Sequence, residues 1–139
     1  DCTPIMIVDP VQKGAALLHA GWRGTVGAIG PRAVSVMKET FHSQPRDLVA
    51  AIGPKDYEVD DRVRNAAPGY EAFFIQTRPH HYLMDLWHLN AAMLQKAGIP
   101  TNQIYLAGVS TFSSDHYFSY RRDHGRTGRL AAILFQRGR

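Results

Sequence analysis

Residues 15–41 read AALLHAGWRGTVGAIGPRAVSVMKETF, and this stretch decides the fold. Residues 15–19 form a short apolar run that is typical of a buried strand. Residues 21–24, which read GWRG, predict a turn. Over residues 26–41 the apolar side chains recur every three or four positions, which predicts an amphipathic helix that kinks or starts at Pro31. A strand, a turn and a helix in succession indicate an α/β protein.

The rest of the chain continues this alternation of strands and helices. Further strands are predicted at residues 4–8, 48–52, 82–84, 104–109 and 130–135, the first pairing with 15–19 as a hairpin. Further helices are predicted at residues 60–67 and 86–97. Residues 111–129 are polar, aromatic and rich in glycine, which indicates a long loop. We therefore expect residues 1–139 to belong to one α/β domain with a mixed β-sheet flanked by helices.

The composition is that of an ordinary globular protein. The chain has 139 residues, of which 45% are hydrophobic and 20% are charged, so it can bury a single core. It has no apolar run of the roughly 20 residues that cross a bilayer and no signal-peptide pattern, so we expect a cytoplasmic protein without a membrane partner. A single cysteine agrees with a reducing compartment. The start at Asp1, without an initiator methionine, hints that the chain begins inside a longer protein.

The cysteine and one histidine stand at the two open ends of the predicted hairpin. Cys2 opens the first strand and His19 closes the second, so antiparallel pairing brings them side by side. A thiol and an imidazole within reach of each other can share a Zn²⁺ ion with a third protein ligand. They can also act as a nucleophile and its base. A structural cysteine beside a core histidine is the simpler alternative, and the pair alone leaves all three open.

Arginines near aromatic residues are the candidate ligands for an anion and a base. Arg23 follows the strand at the point where a helix begins, and glycine backbone and a helix N-terminus both favour an anion there. Residues 118–123 read FSYRRD, a sequence in which aromatic rings can stack on a base and guanidinium groups can hold a phosphate. Asp123 can instead simply pair with its neighbouring arginine. The candidates in this segment are Tyr120 or Phe118 for stacking, and Arg121 and Arg122 for the anion.

Several short motifs follow one another in an order that points to one family. They are Asp1-Cys2, HAGWRG at 19–24, AIGP at 51–54, YEV at 57–59, DL at 85–86, FSYRRD at 118–123 and TGR at 127–129. Together they resemble the laccase-domain family, which includes zinc-type purine nucleoside phosphorylases and the peptidoglycan editing factor. The resemblance runs over essentially the whole chain. It implies a single α/β unit whose sheet is flanked by helices, distantly like the cysteine deamidase domain of certain bacterial toxins.

The resemblance also implies a metal and a set of substrates. In such proteins an upstream histidine, the cysteine at Cys2 and the histidine at His19 form a metal site, here expected to hold Zn²⁺. The implied activities are phosphorolysis of adenosine, inosine and methylthioadenosine, and deamination of adenosine, so the expected partners are a nucleoside and phosphate. The older name of copper-dependent polyphenol oxidase fits less well, because multicopper oxidation needs many histidine ligands.

The chain departs from the family pattern in three places. The upstream histidine and the segment that carries it lie outside the sequence, so we expect this piece alone to be inactive. The loop at residues 53–57 is several residues shorter than in most relatives, which bears on substrate choice. Ser110 stands where many relatives carry a second cysteine.

Two other functions remain as alternatives. The first is a cysteine hydrolase with Cys2 as nucleophile and His19 as base, acting on amide-linked cell-wall precursors as the editing-factor relatives are thought to do. The second is a nucleic-acid-binding module built on the basic C-terminal loop. A net charge of +4 is modest for that role, so nucleic acid is not an expected partner.

Overall fold

The computed structural model describes residues 2–55 and 58–135, which contain strands, helices and three short 3₁₀ turns. The strands are β1 Thr3–Val8, β2 Ala15–Ala20, β3 Val49–Ile52, β4 Glu58–Asp60, β5 Phe74–Arg78, β6 His81–Met84 and β7 Ile104–Leu106. The helices are α1 Trp22–Val26, α2 Ile29–Phe41, α3 Asp61–Asn65 and α4 Leu86–Lys96. In the described part of the chain, no helix has both the length and the apolar character that a bilayer crossing requires.

The strands form two sheets. The larger sheet has the order β2-β1-β3-β7, in which β1 is antiparallel to β2 and β3 while β3 and β7 are parallel. The smaller sheet has the order β4-β6-β5 and is antiparallel throughout. A mixed sheet combined with helices confirms the predicted α/β class.

Helices α2 and α4 cover one face of the larger sheet. Ile5 and Ile7 of β1 are fully buried in a cluster with Val34 and Met37 of α2. Helix α4 contributes to this cluster and also to a second one beneath the smaller sheet, so it joins the two sheets. Its residues in the first cluster are Ala91 and Leu94, and those in the second are Leu86, Leu89 and Met93.

Within residues 2–55 and 58–135, no helix covers the opposite face of the larger sheet. Side chains alternate along a strand, so Pro4 and Met6 point away from the buried Ile5. The register pairs Pro4 with His19 and Met6 with Leu17, which places all four residues on this open face. The candidate site therefore lies on the side of the sheet that the helices leave uncovered.

The segment after β2 is a helix and not the predicted turn. Gly21 has extended backbone, with φ −70° and ψ −178°, and α1 begins at the next residue. The break between α1 and α2 falls at Ala28, whose φ of 56° is left-handed. Pro31 lies in the first turn of α2, where its missing N–H costs no helical hydrogen bond. The predicted kink or start at Pro31 is therefore wrong, and the helix begins two residues earlier.

The prediction of a final strand at residues 130–135 is also wrong. These residues have no regular secondary structure, and most of their apolar side chains are exposed, by 76% at Ile133 and 77% at Phe135. A strand exists only through hydrogen bonds to a neighbouring strand, and no described strand pairs with this segment. Strand β5 was not predicted. Four of its five residues are exposed, and its sequence shows no alternation of apolar and polar side chains.

Arg122 organises the long loop that follows β7. Its Nε and Nη2 hold Asp123 at 2.8 and 3.1 Å, and its Nη1 donates to the carbonyls of Thr111 and Ser114 at 3.0 and 2.9 Å. Nη2 also donates to the carbonyl of Tyr117 at 2.9 Å. These bonds occupy all five N–H groups of the guanidinium. The structure thus uses the donors of Arg122 to fix the loop, and the expectation that Arg122 holds a substrate anion stays a prediction.

The ion pair between Arg122 and Asp123 predicts how the stability of the fold depends on pH. The Arg122 guanidinium, with help from Thr127, lowers the pKa of Asp123 from 3.8 to about 2. A carboxylate whose pKa is lower in the folded chain contributes stability that is present above its unfolded pKa, and this is lost as pH falls through the folded value. Asp123→Asn should therefore lower the thermal unfolding midpoint at neutral pH, and the difference from the wild type should shrink between about pH 4 and 2.

The measurement is thermal unfolding across that pH range, monitored by circular dichroism. Glu39→Gln is the control, since Glu39 lies exposed on α2 and takes part in none of the ion pairs found among the described residues. A difference between Asp123→Asn and the wild type that stays constant from neutral pH to pH 2 would contradict the assignment.

Candidate metal centre and substrate cavity

A cavity of about 810 Å³ opens on the uncovered face of the larger sheet. Strands β1 and β2 contribute Met6 and Leu17, and the residues before and at the end of the hairpin contribute Cys2 and His19. The remaining lining comes mainly from the loop after β7 and the apolar residues 130–133. A cavity of this volume and mainly apolar lining is typical of a site for a small molecule.

Cys2 and His19 meet beside Gly21. A Cβ placed on Gly21 would lie 2.8 Å from the Sγ of Cys2 and 4.0 Å from the Nε2 of His19. The β1–β2 register, in which Pro4 faces His19, brings the two side chains to the same end and the same face of the hairpin. The structure thus brings together the two residues that the hairpin predicts to be neighbours. Gly21 is part of this geometry, because any side chain there would collide with the sulfur.

The donor chemistry of this pair fits zinc. A cysteine sulfur and an imidazole nitrogen are two of the three common zinc ligands in proteins. Within residues 2–55 and 58–135 no three His, Cys, Asp or Glu side chains gather so as to hold an ion. The described part of the chain therefore has two side chains of the kinds that such a site uses, and the space that Gly21 leaves open lies next to both.

Two of the arginines expected to bind an anion lie outside the described lining of the cavity. Arg23 belongs to α1, and its guanidinium stacks on its neighbour, 4.2 Å from the centroid of the Trp22 ring. Arg121 donates from Nη2 to the carbonyl of Glu58 at 2.8 Å, which ties the loop to β4. Together with Arg122, these side chains hold the protein's own groups, and the structure does not bring them to Cys2.

The two aromatic candidates do line the cavity. Phe118 and Tyr120 both belong to its wall. Glycines make room for their rings: a Cβ on Gly128 would lie 2.6 Å from the Phe118 ring, and one on Gly125 would lie 3.2 Å from the Tyr120 ring. The glycine-rich composition of this loop therefore has a local cause, because the rings pack directly on backbone.

Arg129 is the cavity residue that the sequence analysis left without a role. It belongs to the TGR motif at 127–129, and its guanidinium lies 5.1 Å from the centroid of the Tyr120 ring. It is the only Lys, Arg, Asp or Glu among the described residues that line the cavity. Its place in the TGR motif, in the same loop as Phe118 and Tyr120, is the one sequence signal that could have singled it out.

Gly53 and Pro54 form part of the cavity wall, and a side chain of α4 holds Gly53 in place. Trp87 donates from Nε1 to the carbonyl of Gly53 at 2.7 Å, and Gly53 donates from its N–H to the carbonyl of Pro4 at 2.8 Å. Lys55 follows, with Nζ 3.5 Å from a carboxylate oxygen of Asp85 and 4.9 Å from the centroid of the Trp87 ring. Asp56 and Tyr57 are outside the described residues, so the expected shortening of this loop stays a prediction.

Curated relatives match nearly the whole chain. Purine nucleoside phosphorylase YlmD from Bacillus subtilis is 37% identical over 143 residues, covering 96% of this chain and 51% of that protein. Its counterpart from Geobacillus stearothermophilus is 37% identical over 147 residues, covering 99% of this chain and 54% of that protein. This chain therefore spans about half the length of the curated relatives that it matches.

Solved structures show the same fold. YlmD from Geobacillus stearothermophilus superimposes with a TM-score of 0.86 at 38% identity, over 92% of this chain and 51% of that one. The Bacillus licheniformis protein YfiH superimposes with a TM-score of 0.87 at 33% identity, over 92% of this chain and 52% of that one. The family described as multi-copper polyphenol oxidoreductase laccase matches residues 1–137. This chain therefore belongs to that family.

Proposed function

We propose that this chain provides one part of the site of a zinc-dependent purine nucleoside phosphorylase. The observation that carries the proposal is the convergence of Cys2 and His19 beside Gly21, inside a cavity large enough for a nucleoside. The names of the relatives supply the substrate class. The third ligand, as the resemblance implies, is a histidine from sequence outside these 139 residues.

The proposed reaction is displacement at the sugar. Phosphate attacks the C1′ carbon of the nucleoside, the bond from C1′ to the purine nitrogen breaks, and that nitrogen takes up a proton. The products are a free base and ribose-1-phosphate, or 5-methylthioribose-1-phosphate when the substrate is methylthioadenosine. Adenosine, inosine and methylthioadenosine are the proposed substrates, with deamination of adenosine as a second activity of the same site. A zinc ion, when bound, supplies Lewis acidity at the reacting centre.

The chain's own side chains have three roles in this reaction. Cys2 and His19 hold the ion. Phe118 offers an aromatic face to the planar base, and its ring is kept in place by the backbone at Gly128. The apolar side chains of β1 and β2, Met6 and Leu17 among them, keep water away from the sugar.

The donor set favours a single zinc ion over a multicopper centre. Multicopper chemistry needs several ions and many histidine ligands, and the described residues hold no three-donor group. The cysteine hydrolase alternative uses the same Cys2 and His19 without a metal. Dependence on metal therefore separates the proposed phosphorylase from the hydrolase.

Product analysis on the full-length protein tests the proposal directly. Given adenosine or inosine with phosphate, the zinc-loaded protein should release free base and ribose-1-phosphate, and chelation should stop it. Cys2→Ser and His19→Ala should each lower bound zinc and cut the rate by more than about 100-fold, since a lost ligand weakens a site more than a lost outer contact does. His116→Gln, an exposed histidine outside the described cavity lining, should match the wild type.

Two results would contradict the proposal. One is phosphorolysis that survives complete removal of the metal. The other is loss of an amide-linked cell-wall precursor that stops on thiol alkylation but continues after chelation, which would favour the hydrolase.

The glycine beside the pair gives a second test. Gly21→Ala places a methyl group 2.8 Å from the unshifted Cys2 sulfur, so the sulfur must move. We expect zinc affinity to fall by about 10- to 100-fold, the range typical of changes that misplace a ligand. Competition with a zinc-binding dye measures the affinity.

Gly27→Ala is the matched control, because Gly27 lies in the same segment but its added Cβ would meet only the carbonyls of Arg23 and Gly24. Circular dichroism shows whether each variant is folded. A folded Gly21→Ala protein that binds zinc as tightly as the wild type would show that this glycine does not position the thiol.

A further inference from the structure

Arg129 keeps one edge of its guanidinium unused. Its Nη1 donates to the carbonyls of Thr127 and Gly128 at 3.2 and 3.0 Å. Its Nε and Nη2 donate to no group in residues 2–55 and 58–135. This is the edge through which Arg122 holds Asp123, with Nε 2.8 Å from one carboxylate oxygen and Nη2 3.1 Å from the other. Arg129 therefore presents the arrangement that binds an oxyanion with two parallel hydrogen bonds.

The charge of Arg129 has no ion-pair partner among the described residues. The described lining of the cavity contains no Asp or Glu, and none of the ion pairs in the described part involves Arg129. Most of that lining is apolar, so Arg129 is the charged group that a ligand meets in its described part. A single uncompensated cation in such a cavity favours a negatively charged ligand.

We propose that Arg129 binds inorganic phosphate through its Nε and Nη2 edge. This inference rests on the proposed function, in which phosphate is the attacking group. It places the anion in the cavity that Cys2 and His19 also line. In this proposal Arg129 takes the role that the sequence suggested for three other arginines. The Arg23 guanidinium stacks on Trp22, that of Arg121 donates to Glu58, and that of Arg122 pairs with Asp123.

The guanidinium is held in place before any ligand arrives. The two carbonyls at residues 127 and 128 fix its Nη1 side, and the Tyr120 ring lies under it at 5.1 Å. A side chain held in this way loses less conformational entropy when it binds, which strengthens the contact. Tyr120 is thereby a support for Arg129, and Phe118 is left as the aromatic face for the base.

The test uses zinc-loaded full-length protein and two separate readouts. The first is the KM for phosphate at saturating inosine, and the second is calorimetric binding of inorganic phosphate without nucleoside. Arg129→Gln should weaken both by about 10- to 100-fold, the effect of losing two charge-assisted hydrogen bonds. Arg129→Lys, which keeps the charge but not the two-pronged geometry, should fall between the wild type and Arg129→Gln.

Arg126→Gln is the control, because Arg126 is an exposed arginine of the same loop outside the described cavity lining. It should leave both readouts unchanged, and the KM for inosine should be unchanged in every variant. Circular dichroism confirms that each variant is folded.

Each outcome decides one of the two proposals. Phosphorolysis by the wild type with an unchanged phosphate KM in Arg129→Gln overturns the role of Arg129 and leaves the proposed function standing. A rise in the KM for inosine alone, or a wild type that binds no phosphate, also overturns it. Phosphate binding that Arg129→Gln abolishes, in a protein without phosphorolysis, supports Arg129 and contradicts the proposed function.

Discussion

The register of the β1–β2 hairpin is the constraint on which the site depends. Side chains alternate between the two faces of a strand, so a slip of one residue would send Cys2 and His19 to opposite faces. Ile5 of β1 is fully buried beneath the helices and resists such a slip. The turn resists it too, because the carboxylate of Asp9 accepts hydrogen bonds from the N–H groups of Val11 and Gln12 at 2.8 and 2.9 Å. Burial and turn geometry together fix where the thiol and the imidazole meet.

The parts of this site that the sequence predicts are those set by local chemistry. Two apolar runs separated by a short polar segment predict the hairpin, and the hairpin predicts that Cys2 lies beside His19. Phe118 and Tyr120, in a loop punctuated by glycines, were expected to offer aromatic faces, and both line the cavity. In each case the signal is a residue type at a short spacing, which local backbone geometry converts into a position.

The parts that the sequence did not predict depend on contacts between distant segments. Arg122 is one of two adjacent arginines, and only the folded loop shows that its donors reach the carbonyls of Thr111 and Ser114. Arg129 is one of several basic residues near the C-terminal end, and only the cavity distinguishes it from Arg126. The apolar residues 130–133 have the composition of a strand, yet a strand forms only where a neighbour provides hydrogen bonds.

The central claim is that the sulfur of Cys2 and a nitrogen of His19 bind the same zinc ion. X-ray absorption at the zinc edge, on the zinc-loaded full-length protein, measures the atoms around the metal most directly. The account predicts one sulfur at about 2.3 Å together with imidazole nitrogens at about 2.0–2.1 Å, and loss of the sulfur signal in Cys2→Ser. A first shell of nitrogen and oxygen alone in the wild-type protein would contradict it.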